Sequence, residues 1–134
     1  MTDDKNNCCE TNAQDTCCSG EGVKTLILAC SGGSNVGQIS NQIMIELDRS
    51  GIGNAYCLAG IGAAMSGFIE SAKAARTILI DGCPVACGKK VFEKYGIDPF
   101  NYFTVTELGI KKTHDFSKLK EETDKALNAL KTKI

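Results

Sequence analysis

The sequence predicts a three-layer αβα domain: about four parallel strands in a Rossmann-like, flavodoxin-like sheet of order 2-1-3-4, with helices on both faces. Short β-rich apolar runs alternate with longer segments whose apolar residues recur at helical spacing, the pattern of a covered parallel sheet. The first run, Lys24 to Cys30, is almost continuously apolar, as in a strand buried on both faces. Right-handed crossovers then favour the order 2-1-3-4.

Each element follows in turn. Strand one, Lys24 to Cys30, ends in the turn Ser31-Gly32-Gly33-Ser34-Asn35. Val36 to Ser50 is a helix, with Val36, Ile39, Ile43 and Leu47 on one face and Gly51 where a helix commonly stops. Asn54 to Leu58 is a short second strand, and a Gly/Ala-rich stretch leads to a helix ending near Ala75. Arg76 to Asp81 is the third strand. After Gly82-Cys83, Pro84 suits the first position of a helix and Gly96 its end. Tyr102 to Leu108 is the fourth strand. Asp115 or Ser117 can cap a last amphipathic helix carrying Leu119, Ala126, Leu127 and Leu130.

The chain has 134 residues, a net charge of −1 and eight cysteines. Its pI of about 5.8 and lack of a basic stripe argue against nucleic acid or an anionic membrane surface as partner. The longest apolar stretch, Leu58 to Ile69, is well short of the roughly 20 residues a spanning helix needs. The first residues carry neither a cationic nor an apolar region of a secretory signal, so the expected compartment is cytoplasmic. Cytosolic thiols are kept reduced, and clustered cysteines there point to metal or catalysis rather than to disulfides.

Composition divides the chain in two. Residues 1–22 hold no aliphatic residue larger than Ala after Met1, too little apolar surface to repay ordering, and read as a disordered acidic cysteine-rich tail. Five acids (Asp3, Asp4, Glu10, Asp15, Glu21) against Lys5 give this tail a charge of −4, leaving +3 for residues 23–134. That body of about 110 residues buries roughly two-thirds of its unfolded surface and needs no staples to fold.

The body cysteines gather at strand ends. In an open parallel sheet, sites form outside the carboxyl ends of the strands. Cys30 ends strand one, Cys57 lies at the end of strand two, Cys83 follows strand three, and Cys87 comes one helical turn later. Free amides at that helix start favour negative charge. Four thiolates converging from separate strands suit tetrahedral zinc at about 2.3 Å. An iron-sulfur cluster can use the same set. The plainer reading of Cys30 and Cys57 is as small core residues.

These residues resemble a known family. Asp81-Gly82-Cys83-Pro84-Val85-Ala86-Cys87-Gly88-Lys89-Lys90 looks like the signature of the DGC-domain family. Cys30-Ser31-Gly32-Gly33-Ser34-Asn35-Val36-Gly37-Gln38 and Cys57-Leu58-Ala59-Gly60-Ile61-Gly62 are similar to its other two blocks. The resemblance covers nearly all of residues 23–134. It implies a zinc ion held by four chelating cysteines, here Cys30, Cys57, Cys83 and Cys87, and no particular reaction. Metal handling, sensing or delivery is the expected function. The tail pairs Cys8-Cys9 and Cys17-Cys18 fall outside the signature; they suit a second soft-metal site, a metal relay, a redox switch or an accessory thiol cluster.

Enzyme alternatives follow from the same residues. A strand ending in Cys, a Gly-rich turn and a helix also begins low-molecular-weight tyrosine phosphatases and arsenate reductases, where an Arg six positions on holds the oxyanion. That position is Val36, which removes the charge complement and argues against phosphatase chemistry. The Ser31–Gly37 turn could still cradle a small anion. A thiol redox or sulfur-transfer role would use Cys83 and Cys87, but with three residues between them they meet only if the first helical turn is irregular. Asp81 reads as an acceptor for turn amides, Lys89 and Lys90 as a solvated face, and His114 as a surface residue distant in sequence from the cysteines.

Overall fold

The apolar run opens the fold: in the computed structural model, which describes residues 23–134, β1 (Thr25–Ala29) is buried from Leu26 onward. The tail reading, with Cys8, Cys9, Cys17 and Cys18, lies outside the described residues. After β1 come α1 (Asn35–Arg49), β2 (Asn54–Ala55), α2 (Leu58–Gly62), α3 (Ser66–Ala74) and β3 (Arg76–Asp81). Then follow α4 (Cys87–Lys94), β4 (Asn101–Thr104), a 3-10 turn (Val105–Leu108) and α5 (Leu119–Lys131). The four strands are all parallel in the order β2-β1-β3-β4, as expected.

Strand alternation assigns the two layers. Ile27 and Ala29 of β1, with Ile78 and Ile80 of β3, pack against Ile39 and Ile43 of α1 and Ala126 and Leu130 of α5. Leu26, Leu28 and Leu79 point the other way, onto Ile61 of α2, Ile69 and Ala72 of α3, and Phe92 of α4. The sheet therefore lies between an α1–α5 layer and an α2–α4 layer.

Several boundaries differ from the expectation. Strand β2 is two exposed residues, because Cys57 already caps α2. The helix ending near Ala75 is α3, and the Gly/Ala-rich stretch before it forms the short α2, the two separated where Ala64 takes a left-handed φ of 64°. Strand β4 stops at Thr104 and the chain tightens into a 3-10 turn. Helix α4 starts at Cys87 rather than Pro84, after Ala86 in the left-handed region. Neither Asp115 nor Ser117 caps α5, whose N-cap is Lys118; Asp115 instead accepts from Ser117 N–H at 2.9 Å in a local turn. That bond, chiefly, lowers the Asp115 pKa.

The carboxyl rim of the sheet is closed by backbone packed on backbone. A Cβ on Gly37 would stand 2.6 Å from Gly32 O and 2.7 Å from Gly32 N, and one on Gly82 would stand 2.9 Å from Gly37 N. No rotamer relieves a clash with main chain. Gly37→Ala is expected to lower unfolding free energy by about 1–3 kcal/mol, the usual cost of overpacking, in urea denaturation. Gly33→Ala, where a Cβ meets nothing within 4 Å, should change it by less than about 0.5 kcal/mol.

Candidate metal centre

Cys30 continues the strand it follows: its N–H donates to Ile80 O at 2.9 Å. Alternation from Leu26 and Leu28 turns its side chain to the α2–α4 layer. Its Sγ accepts from Gly32 N–H at 3.3 Å. Cys57 is the N-cap of α2, and its Sγ accepts from Gly60 N–H at 3.3 Å. Cys87 is the first residue of α4. These three cysteines line one open cleft of about 830 Å³, together with Met44, Tyr56, Leu58, Phe68 and Val91, and no charged residue lines it.

Cys83 stands elsewhere. The chain leaves β3 at Gly82, whose backbone lies on Val36 and Gly37 of α1, and Cys83 emerges against the α1–α5 core. Lys112 Nζ donates to its Sγ at 3.4 Å. Lys112 is carried by a clamped loop: the buried Asn35 donates to Lys111 O at 2.9 Å and accepts from Thr113 N–H at 2.6 Å. Asn35 N–H also donates to Thr113 O at 2.9 Å. Between Cys83 and Cys87 lies a turn closed by Ala86 N–H to Cys83 O at 3.0 Å, so the two are not successive positions of one regular helix.

Of the four expected ligands, the fold thus brings three onto one cleft and leaves the fourth in another layer. All four thiols are free, Cys57 and Cys87 exposed and Cys30 and Cys83 partly covered. Among the described residues, no three His, Cys, Asp or Glu groups are close enough to hold one ion as they stand. Thiols are the donors a thiophilic metal prefers, and three of them, Cys30, Cys57 and Cys87, share the cleft, whereas Cys83 packs on the α1–α5 core.

The start of α4, and with it Cys87, is fixed by Asp81. This buried carboxylate accepts from Gly88 N–H at 2.8 Å, Lys89 N–H at 3.0 Å and the Tyr102 hydroxyl at 2.8 Å. It serves as a cap borrowed from β3 for a helix whose own N-cap, Ala86, has no side-chain bond to give. A Cβ on residue 88 would stand 2.8 Å from Asp81 Oδ1, so glycine is required there. The expected acceptor role of Asp81 holds, with helix amides as its donors. Lys89 and Lys90 are exposed as expected, and Lys89 Nζ lies 5.3 Å from the centre of the Tyr102 ring.

The Ser31–Gly37 turn is not a free anion cradle. Asn35 N–H goes to Thr113 O, Gly37 N–H to Ser34 Oγ and Gln38 N–H to Ser34 O. His114 is exposed as expected, yet its Nδ1 lies 3.2 Å from Gly33 O, so the fold returns it to the rim. Sequence reasoning missed Lys112, Asn35 and Tyr102. Lys112 reaches the rim only through long-range contacts, and Asn35, though in the turn after strand one, has its partners 76 and 78 residues away. Tyr102 could be inferred only from strand register: it pairs with Leu79, which shares a face with Asp81.

With this geometry in view, the comparisons are specific. The DGC domain family matches residues 26–130. The chain belongs to the DGC family. A DGC relative, the "Anaerobic and virulence modulator AnvM" of Pseudomonas aeruginosa, is 37% identical over 90 residues, 66% of this chain and 69% of that protein. No solved structure matches the DGC chain significantly. No helix among the described residues is long and apolar enough to cross a membrane.

Tyr102 offers a pH test of the Asp81 cap. Burial, reinforced by the Asp81 carboxylate and opposed by a bond to Thr104, pushes the Tyr102 pKa up from 10.0 to about 12. The unfolded chain therefore releases this proton first, and the stability that neutral Tyr102 contributes is lost as pH rises from 10 to 12. Denaturant titrations of wild type and Tyr102→Phe should show the wild type losing more stability across that window; parallel curves would refute the shift.

Proposed function

We propose that this DGC protein binds zinc, one ion per domain, through its rim cysteines, and that it acts in metal handling, sensing or delivery. The observation that carries the reading is the convergence of Cys30, Cys57 and Cys87 on a single cleft outside the carboxyl ends of β1, β2 and β3. In both Cys30 and Cys57 a backbone N–H already points at the sulfur, the kind of contact that steadies a ligating thiolate. When bound, zinc would supply either a closed structural centre or a Lewis-acid position, according to how many protein sulfurs it takes. A metal that binds the folded chain and not the unfolded one stabilises the fold by mass action. The Pseudomonas relative's name makes it a modulator, which supports regulation over turnover of a substrate.

A second reading, thiol redox or sulfur-transfer chemistry, is favoured by one observation, the free Cys83 thiol beside Lys112. An iron-sulfur cluster at the rim cysteines is distinguished from zinc by visible absorption. For the tail we propose a separate soft-metal site made by Cys8, Cys9, Cys17 and Cys18, with the protein cytoplasmic throughout.

Elemental analysis of full-length protein purified without oxygen is expected to find zinc bound to the rim, lost in Cys30→Ser and Cys87→Ser variants, with a raised melting temperature on loading. Metal-free protein carrying a redox-active dithiol would support the second reading instead. Replacing the four tail cysteines with Ser should leave one zinc in place and abolish any additional copper(I) uptake; unchanged copper(I) uptake would leave the tail without a metal role.

A further inference from the structure

We infer that Cys83 and Lys112 form a covalent modification site, at which dioxygen joins the cysteine sulfur to the lysine nitrogen through a single oxygen atom. The inference is independent of the metal-binding reading. It rests on the thiol contact that favours the second reading, and it gives that thiol a partner and a product.

The pair is held from both backbones. Cys83 follows Gly82, whose carbonyl accepts from Thr106 N–H at 3.2 Å and whose backbone lies on Val36 and Gly37. The Cys83 carbonyl accepts from Ala86 N–H at 3.0 Å, and its side chain packs on the α1–α5 core. Lys112 stands on a loop that Asn35 holds on either side of it, through Lys111 O and through the N–H and carbonyl of Thr113. Two residues 29 apart in sequence so present their reactive atoms to one another, with Nζ donating to Sγ at 3.4 Å. Such positioning turns an encounter between two side chains into an intramolecular step. Lys112 is exposed and Cys83 half-buried, so a small uncharged oxidant reaches the pair from solvent. Cys30 and Cys57 differ in their partners: their sulfurs accept from the backbone N–H groups of Gly32 and Gly60, which are amides and not nucleophilic amines.

In the step, one dioxygen takes four electrons, two from the Cys83 sulfur and two from the Lys112 nitrogen. The O–O bond, the S–H bond and one N–H bond break, while an S–O and an N–O bond form. The second oxygen leaves as water with both hydrogens. The chain therefore gains one oxygen atom and loses two hydrogens. Other oxidations of the thiol give different products: a sulfenic or sulfinic acid gains oxygen without losing hydrogen, and a disulfide loses hydrogen without gaining oxygen. The link withdraws the Cys83 thiol from reaction and ties the end of β3 to the segment before α5.

The test uses the full-length chain with Cys8, Cys9, Cys17 and Cys18 replaced by Ser, held in air-saturated buffer, and reads intact mass and tryptic peptides. The expected product has one oxygen more and two hydrogens fewer, and it joins the peptide bearing Cys83 to the one bearing Lys112, with tryptic cleavage after Lys112 lost. Dithiothreitol should reverse it. Cys83→Ser and Lys112→Arg should each abolish it; the arginine keeps a positive charge beside the sulfur but offers no amine. A linked species that persists in Lys112→Arg would place the nitrogen on another residue and overturn the inference. Cys83 converted only to a sulfenic or sulfinic acid, or to a disulfide, would overturn it while leaving thiol chemistry at Cys83 intact. A Cys83 that stays reduced throughout would overturn the inference and the second reading together.

Discussion

A buried carboxylate at the end of β3 holds the rim in register. A helix start leaves its first amides without intrahelical partners, and α4 begins after a left-handed Ala86 that has no side chain to offer them. Asp81 meets Gly88 and Lys89 from the neighbouring strand and is itself braced by Tyr102 of β4. One side chain so joins β3, α4 and β4, and its burial is tolerable because three donors replace water. Since Cys87 immediately precedes Gly88, the bond that anchors the helix also anchors the cysteine. The requirement for glycine at 88 is the steric counterpart of the same contact.

The other side of the rim depends on close backbone approach. Gly32, Gly37 and Gly82 let the turn after β1, the first turn of α1 and the end of β3 touch without side chains between them. Ser40 adds a polar tie, its hydroxyl 2.5 Å from Cys30 O and 2.7 Å from Gly37 O. The amides of Asn35, Gly37 and Gln38 are taken by Thr113 O, Ser34 Oγ and Ser34 O, so this Gly-rich turn is used for packing. Its consequence for chemistry is the direction of the cysteines: Cys30 remains in strand alternation while Cys83 leaves it.

The sheet order and the main helices were readable because each depends on periodicity within a short segment, as in Val36, Ile39, Ile43 and Leu47 of α1. The placing of cysteines at strand ends was readable for the same reason. What escaped depends on where the chain turns after a strand and on what returns from far along it. Nothing local to Gly82 says that Cys83 will face the α1–α5 core, and Lys112 is 29 residues away. The break at Ala64 has no Gly or Pro at the left-handed position to announce it, and the α5 cap failed because Asp115 bonds Ser117 instead. The fold gives the four cysteines of residues 23–134 two different environments.

The most direct measurement is the zinc K-edge X-ray absorption of the zinc-loaded full-length protein with its tail cysteines replaced by Ser. The account predicts a first shell dominated by sulfur at about 2.3 Å. A shell of nitrogen and oxygen alone would contradict metal binding at the cysteine rim.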